Sequence, residues 1–352
     1  MTSAPGDWFF RPTARAWRHA PASEAAYRFH RDVEGYRPTP LVELPALAEE
    51  LGVRRVLVKD ESDRFGLPAF KVLGASWAVH RVLSEHADAR VLVTATDGNH
   101  GRAVARTARR SGLSAHVVVP AGVHSDAVAA IAAEGAVVEH IDGSYDDAID
   151  HAVRVAKAPA HVLVQDTDVP GHHDVPQWIV EGYSTLFREI GEQLTPDLLV
   201  VPVGVGSLAQ AAITHHRGTA PAARTALLAV EPSTAAGLLA SLAAGELVSV
   251  PTPGTSMAGL NCGTPSASAW PLLNAGLDAA VSITDRDSRA AATALVAAGV
   301  SAGPCGAASL AGARAALGDE DRRRQLGVDA DSTVVLLNTE GTAANPAYAR
   351  EN

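Results

Sequence analysis

Four short stretches carry residues whose types and spacing could do chemistry. The first is Lys59-Asp60-Glu61-Ser62-Asp63-Arg64-Phe65-Gly66-Leu67-Pro68-Ala69-Phe70-Lys71, where a strand-like run, Val56–Val58, gives way to a charged loop with two breakers, Gly66 and Pro68. Lys71 then opens a helical run to Leu83, with apolar residues at Val72, Ala75, Val79 and Val82. A lysine in a helix's first turn sits at the positive end of the macrodipole. That position favours the neutral amine that a carbonyl-condensing lysine needs. A solvated surface lysine fits the same stretch.

The second stretch is Thr94-Ala95-Thr96-Asp97-Gly98-Asn99-His100-Gly101-Arg102, at a strand-to-helix joint. Backbone N–H groups and small donors at such a joint face a ligand; Asp97 adds a carboxylate and Asn99 an amide. An Asx-type helix cap accounts for them equally. The third is Val201-Pro202-Val203-Gly204-Val205-Gly206-Ser207-Leu208-Ala209, where Gly204 to Leu208 can cradle a phosphate on a helix N-terminus. It departs from the dinucleotide fingerprint, with Ala209 at the third glycine's place. Nor is it a P-loop, because no Gly-Lys-Ser/Thr follows. The fourth is Leu336-Leu337-Asn338-Thr339-Glu340-Gly341-Thr342. There the Thr339 hydroxyl could meet a buried ring nitrogen, or simply end a strand.

These stretches need a scaffold, and the pattern around them supplies one. Strand signals at Val56–Val58, Val91–Thr94, His116–Val119, Val137–His140 and Val162–Gln165 alternate with helical runs at Phe70–Leu83, His100–Arg110, Asp126–Ala133 and Tyr145–Ala156. A second series follows: helix Pro176–Leu194, strand Leu198–Val201, helix Ser207–His216, strand Leu227–Val230 and helix Thr234–Ala243. Beyond an irregular stretch, 251–265, come strand Ala280–Ile283, helices Arg286–Ala298 and Ala307–Leu317, and strand Thr333–Leu337. Alternation of this kind predicts an α/β fold with parallel-type open sheets flanked by helices. Two series predict two lobes with a ligand cleft between them. Pro45–Leu51 reads as a short helix closed by Gly52, whereas residues 1–37, with Trp8, Phe9, Phe10, Trp17, Tyr27 and Phe29, lack clear periodicity and read as irregular packing.

Composition narrows the classes. At 352 residues, with 47% apolar and 19% charged residues, the chain can bury a substantial core and is no disordered polymer. A formal charge of −10 argues against nucleic acid or an anionic membrane as partner. Cys262 and Cys305 lack metal-ligand spacing and read as reduced thiols. The His172-His173 pair has no third ligand at metal spacing, so no metal is expected. No signal-peptide core or bilayer-length apolar run is visible, which reads as a soluble, cytoplasmic protein.

Taken together the four stretches resemble the fold-type-II pyridoxal-phosphate enzymes, the tryptophan synthase β-subunit family, and within it the diaminopropionate ammonia-lyase branch. Further matches are Val164-Gln165-Asp166-Thr167, Pro176-Gln177-Trp178 with Gly182-Tyr183, and Met257-Ala258-Gly259-Leu260 with Cys262-Gly263. The resemblance implies that Lys71 carries pyridoxal 5′-phosphate covalently and that Asn99 contacts its phenolic oxygen. By the same pattern Gly204, Val205, Gly206 and Ser207 hold the phosphate, Thr339 meets the pyridine nitrogen, and Phe70 and Leu208 complete the cofactor set. It implies α,β-elimination of 2,3-diaminopropionate to pyruvate and ammonia by way of aminoacrylate. Lys71, Asp97 and Asp166 would be the catalytic residues, and Thr96, Asp97 and Asp166 the substrate contacts. A serine- or threonine-dehydratase-like reaction, or another β-elimination or β-replacement on a small amino acid, is the alternative.

The resemblance also implies a homodimer. It implies a large domain of residues 1–71 and 173–352, and a small mobile one of 72–172 that closes through Thr96 to Asn99. His100 is expected to be structural. Three departures stand out: Pro68 where asparagine is usual, the loop with His172, His173 and Asp174, and Gly303-Pro304-Cys305-Gly306 in place of a Gly-Glu-Ser-Gly-like turn. The last predicts that a glutamate near the cofactor is missing.

Overall fold

The computed structural model describes residues 7–345 apart from Asp97, Pro170 and 219–223. Among the described residues its strands are β1 (Trp8–Phe10), β2 (Leu41–Glu43), β3 (Arg55–Asp60), β4 (Val91–Ala95), β5 (Ser114–Val119), β6 (Val137–His140), β7 (His161–Leu163), β8 (Leu198–Pro202), β9 (Ala226–Pro232), β10 (Ala279–Ile283) and β11 (Thr333–Asn338). Seven of them form one sheet in the order β1-β10-β9-β8-β11-β3-β2, and four form a second in the order β6-β5-β4-β7. The smaller sheet is parallel throughout. The larger is parallel from β10 to β3, with β1 and β2 added antiparallel at its edges. Parallel neighbours need crossover connections, and helices provide them, as the alternation predicts.

Side-chain alternation shows where the core sits. In β11, Val335 and Leu337 join one apolar cluster while Val334 and Leu336 join another. In β9, Leu227 and Ala229 likewise face away from Ala226, Leu228 and Val230. Period-two alternation with every residue buried marks a sheet covered on both faces. One cluster takes in helices Lys71–Glu85, Asn99–Arg110, Asp174–Gly191 and Ser207–Gly218; the other takes in Pro45–Leu51, Asp285–Ala297 and Pro304–Leu317. The same alternation divides the smaller sheet, with Leu92 on one side of β4 and Val93 and Ala95 on the other.

Helix Lys71–Glu85 is seated by a close crossing with helix Asp174–Gly191. A Cβ on Gly182 would lie 2.4 Å from the Leu73 carbonyl oxygen, and one on Gly74 would lie 2.6 Å from the Tyr183 ring. Only glycine at both positions lets the two backbones approach so closely.

Several elements differ from the sequence expectation. The segment read as irregular contributes edge strand β1, paired Trp8 to Val281, and helix Ala25–Asp32. Strand β7 stops at Leu163, and Gln165 spends its side chain on β4, accepting from Ala95 N at 2.9 Å and Thr94 Oγ1 at 3.1 Å. The helix expected from Thr234 starts at Gly237, where the buried Glu231 carboxyl accepts from Leu238 N and Leu239 N. Short helices Trp270–Gly276 and Glu320–Leu326 carry too few turns for a periodic signal. No helix among the described residues is long and apolar enough to cross a membrane.

Candidate active site

The charged loop that leads to Lys71 is buried. Lys59 donates to Glu189 Oε2 at 2.6 Å and to the Thr39 carbonyl at 2.8 Å. Arg64 pairs with Glu61 at 2.6 and 2.8 Å and with Glu189 at 2.7 and 2.8 Å. All four charged side chains are at most 1% exposed. The network ties β3 and the loop to helix Asp174–Gly191. Beyond it, Phe70 N donates to the Thr339 carbonyl at 3.2 Å, and Gly341 N donates to the Pro68 carbonyl at 3.0 Å. Lys71 is therefore delivered against the end of β11. Pro68, whose ring fixes its own φ, contributes its carbonyl to this junction.

Lys71 opens its helix, and its Nζ lies 2.8 Å from Asp166 Oδ2. The lysine side chain is 21% exposed and the aspartate 8%. The rings of Phe70 and Tyr183 stand 5.5 and 5.8 Å from the ammonium. Here the neutral-amine expectation is corrected. Burial alone lowers the Lys71 pKa, but the Asp166 carboxylate outweighs it and holds the amine above its ordinary range. A helix dipole contributes about 0.3–1 kcal/mol. An ion pair at this distance contributes several kcal/mol at an effective dielectric of about 20. Burial likewise raises Asp166, while the Lys71 ammonium, which also donates to it, pulls it down to about 2. Lys71 must shed a proton before it can attack a carbonyl.

His100 is buried beneath this pair. Its Nε2 lies 2.9 Å from the Val164 carbonyl, which can only accept, so Nε2 carries the proton. Its Nδ1 lies 3.7 Å from Asp166 Oδ2. Burial lowers its pKa against the pull of Asp166, with Lys71 adding to the lowering, which favours the neutral ring. Thr96 shapes the turn between β4 and helix Asn99–Arg110, its hydroxyl oxygen accepting from Gly98 N at 2.9 Å and Gly101 N at 3.0 Å. Asn99 starts that helix and donates through Nδ2 to Glu340 Oε2 at 2.7 Å.

The glycine turn closes the other side. Gly206 has φ +102, a conformation disfavoured for other residues, and a Cβ there would lie 2.7 Å from Leu273. A Cβ on Gly204 would lie 2.9 Å from the Gly259 carbonyl and 3.2 Å from Cys262 Sγ. The backbone thus forms a cradle at the start of helix Ser207–Gly218, whose first N–H groups have no intrahelical acceptor. Ser207 Oγ lies 3.3 Å from the Asp166 carbonyl and links the cradle to the ion pair.

One cavity collects these groups. Phe70, Lys71, Thr96, Asn99, Asp166, Gly204, Val205, Gly206, Ser207, Leu208 and Thr339 all line it. Asp97 falls outside the described residues. The cavity also takes in groups that sequence reasoning did not single out for the site: Tyr145, Thr167, Asn261, Cys262 and Glu340. The 303–306 turn itself holds no glutamate, as the sequence reads, and Glu340 reaches it from beyond β11, accepting from Cys305 N. Its place directly after Thr339, in a stretch already singled out, was the signal for it. Thr167 Oγ1 and Asn261 Oδ1 are buried with no hydrogen-bond partner among the described residues. Buried polar atoms are nearly always satisfied, and a polar ligand in this cavity would complete them. An amine that can condense with an aldehyde, a glycine cradle for a phosphate and a strand-end hydroxyl suit a phosphorylated aromatic aldehyde.

Comparison with known proteins points the same way. Residues 33–340 match a family model described as pyridoxal-phosphate dependent enzyme. The diaminopropionate ammonia-lyase of Escherichia coli (strain K12) is 36% identical over 274 residues, covering 71% of this chain and 69% of that protein. The diaminopropionate ammonia-lyase of Salmonella typhimurium (strain LT2) is 33% identical over 367 residues, covering 91% and 89%. A crystal structure of the Escherichia coli enzyme, in complex with an aminoacrylate-PLP azomethine reaction intermediate, matches with a TM-score of 0.89 at 31% identity, over 98% of this chain and 96% of that one.

Proposed function

The chain belongs to the pyridoxal-phosphate-dependent enzyme family, and from that membership we propose that it converts 2,3-diaminopropionate and water to pyruvate and two molecules of ammonia. It has the fold-type-II architecture, and its cofactor is pyridoxal 5′-phosphate. Bound in the cavity, the cofactor supplies an electron sink for the bond to the substrate's Cα hydrogen. The chain's own residues do the rest.

Lys71, as the neutral amine, removes the α-proton of the L-isomer. Asp97, which follows Thr96 in the sequence, removes that of the D-isomer from the other face. The Asp166 carboxylate attracts the second amine, which the substrate carries as a cation, and that amine leaves as ammonia with the electron pair of the broken C–N bond. Aminoacrylate, once released, hydrolyses to pyruvate and the second ammonia. Thr339 offers the pyridine nitrogen a hydroxyl, which leaves that nitrogen largely neutral. A milder electron sink suits elimination better than transamination.

The observation that carries this reading is the Lys71–Asp166 pair at 2.8 Å inside the cavity that the glycine cradle closes. Residues 72–172 are read as a unit that closes over the substrate, supported by the smaller sheet, whose strands all fall within 91–163. A homodimeric, cytoplasmic enzyme with a small amino acid as its ligand completes the proposal. The test is to supply the cofactor-loaded protein with L- and D-2,3-diaminopropionate and with L-serine, and to measure pyruvate and ammonia. Two ammonia per pyruvate, from diaminopropionate in preference to serine, is the expected result. Faster turnover of serine would overturn the substrate and keep the cofactor.

A further inference from the structure

Glu340 has no part in the elimination as written, yet its surroundings are the most fully built in the cavity. It is 2% exposed. Three donors converge on its carboxyl: Asn99 Nδ2 at 2.7 Å on Oε2, and Cys305 N at 3.1 Å and Asn345 Nδ2 at 3.0 Å on Oε1. Among the described residues no lysine, arginine or histidine lies within ion-pair distance of it. Gly303 packs so close that a Cβ there would lie 2.8 Å from Oε1.

Two of these contacts explain each other. The Cys305 N–H belongs to the first turn of helix Pro304–Leu317, where the sequence has Gly-Pro-Cys-Gly and no acidic side chain. Glu340 brings a carboxylate to that turn from the end of β11. Its other oxygen takes one hydrogen of the Asn99 amide, at the start of a helix that belongs to the smaller sheet. An asparagine side chain turns freely about its last bond unless a partner fixes it. With one amide hydrogen committed to Glu340, the second is left in a set direction for a ligand in the cavity.

We propose that Glu340 is a positioning residue for the cofactor: it locks the Asn99 carboxamide toward the cofactor's phenolic oxygen, supplying from β11 the carboxylate that the 303–306 turn lacks. The proposal rests on the pyridoxal-phosphate reading and on Asn99 as the phenolic-oxygen contact. Burial raises the Glu340 pKa against the pull of its donors, so the contact with Asn99 is held by a group sensitive to its surroundings.

The test is a double-mutant cycle on the holoenzyme with Glu340→Ala, Asn99→Ala and the pair. It is read by the visible absorption band of the bound cofactor and by cofactor dissociation constants from fluorescence titration. Glu340→Ala is expected to shift the band and to weaken cofactor binding about tenfold. In the Asn99→Ala background it should change the dissociation constant less than about twofold. Glu340→Gln keeps the size and one acceptor oxygen and serves if the alanine variant does not fold. It should weaken binding less, and its effect too should vanish without Asn99. Equal effects in both backgrounds, or an unmoved band, would overturn the positioning role. A wild-type protein without any cofactor band would overturn this inference and the family reading together.

Discussion

Lys59 and Lys71 each sit against a carboxylate inside the protein, and what surrounds them differs in what it leaves over. Around Lys59 two cations and two anions balance, every pair lies at 2.6–2.8 Å, and the lysine is fully buried. Around Lys71 one cation faces one anion, the side chain opens into a cavity, and Thr167 Oγ1, Asn261 Oδ1 and His100 Nδ1 stay unpaired among the described residues. A network with every partner supplied holds the chain in one shape. One that lacks partners is where a ligand can complete them. The first group shapes the approach to the site, and the second is the site.

Substitutions can break this comparison, and the largest effect is expected at Lys71. Lys71→Ala should lower the elimination rate on the order of 10⁴-fold or more, with a smaller change in unfolding free energy than any break in the Lys59 network. Steady-state pyruvate release and urea unfolding on the same preparations measure both. Glu189→Ala should behave in reverse. It strands Lys59 and Arg64 without their shared carboxylate, and breaking a buried pair costs about 3–5 kcal/mol. The cofactor band of the molecules that still fold should be unchanged. A Glu189 variant of normal stability that had lost the cofactor would reverse the roles assigned to the two regions.

Acid sharpens the contrast further. Asp166 is held at about 2, below the ordinary 3.8, so the stability it contributes is present above pH 4 and lost as pH falls through 2. That loss amounts to roughly 2 kcal/mol. Asp166→Asn should flatten this limb when unfolding of the cofactor-free protein is followed from pH 5 to 2. The smallest effect is expected at the cradle. Gly206→Ala must adopt φ +102 against Leu273, at a cost of about 1 kcal/mol or more. The loss should appear as weaker cofactor binding in a fluorescence titration.

Much of this was legible in the sequence because it is local. Strand, glycine turn and helix follow one another within nine residues at Val201–Ala209, and burial on both faces makes β8, β9 and β11 read as apolar runs. What escaped depends on partners far along the chain. The dipole argument for Lys71 considered only its own helix, whereas the deciding carboxylate is 95 positions away. The loop from Lys59 to Arg64 looks like a solvated charge run until Glu189, 130 positions from Lys59, closes it. Strand β1 is three residues long and gains its identity only from pairing with β10. Glu340 lies two residues beyond β11 without any local sign that Asn99, 241 positions earlier, binds to it.

The chain has only three lysines, Lys59, Lys71 and Lys157, and that makes one measurement decisive. Borohydride reduction of the cofactor-loaded enzyme makes a lysine–cofactor linkage permanent, and peptide mass mapping then locates it. Lys59 is locked between Glu189 and Thr39, and Lys157 is exposed beyond its helix. The added mass is therefore predicted on the Lys71 peptide alone. Label on either other lysine, or on none, would contradict the assignment of this cavity as the active site.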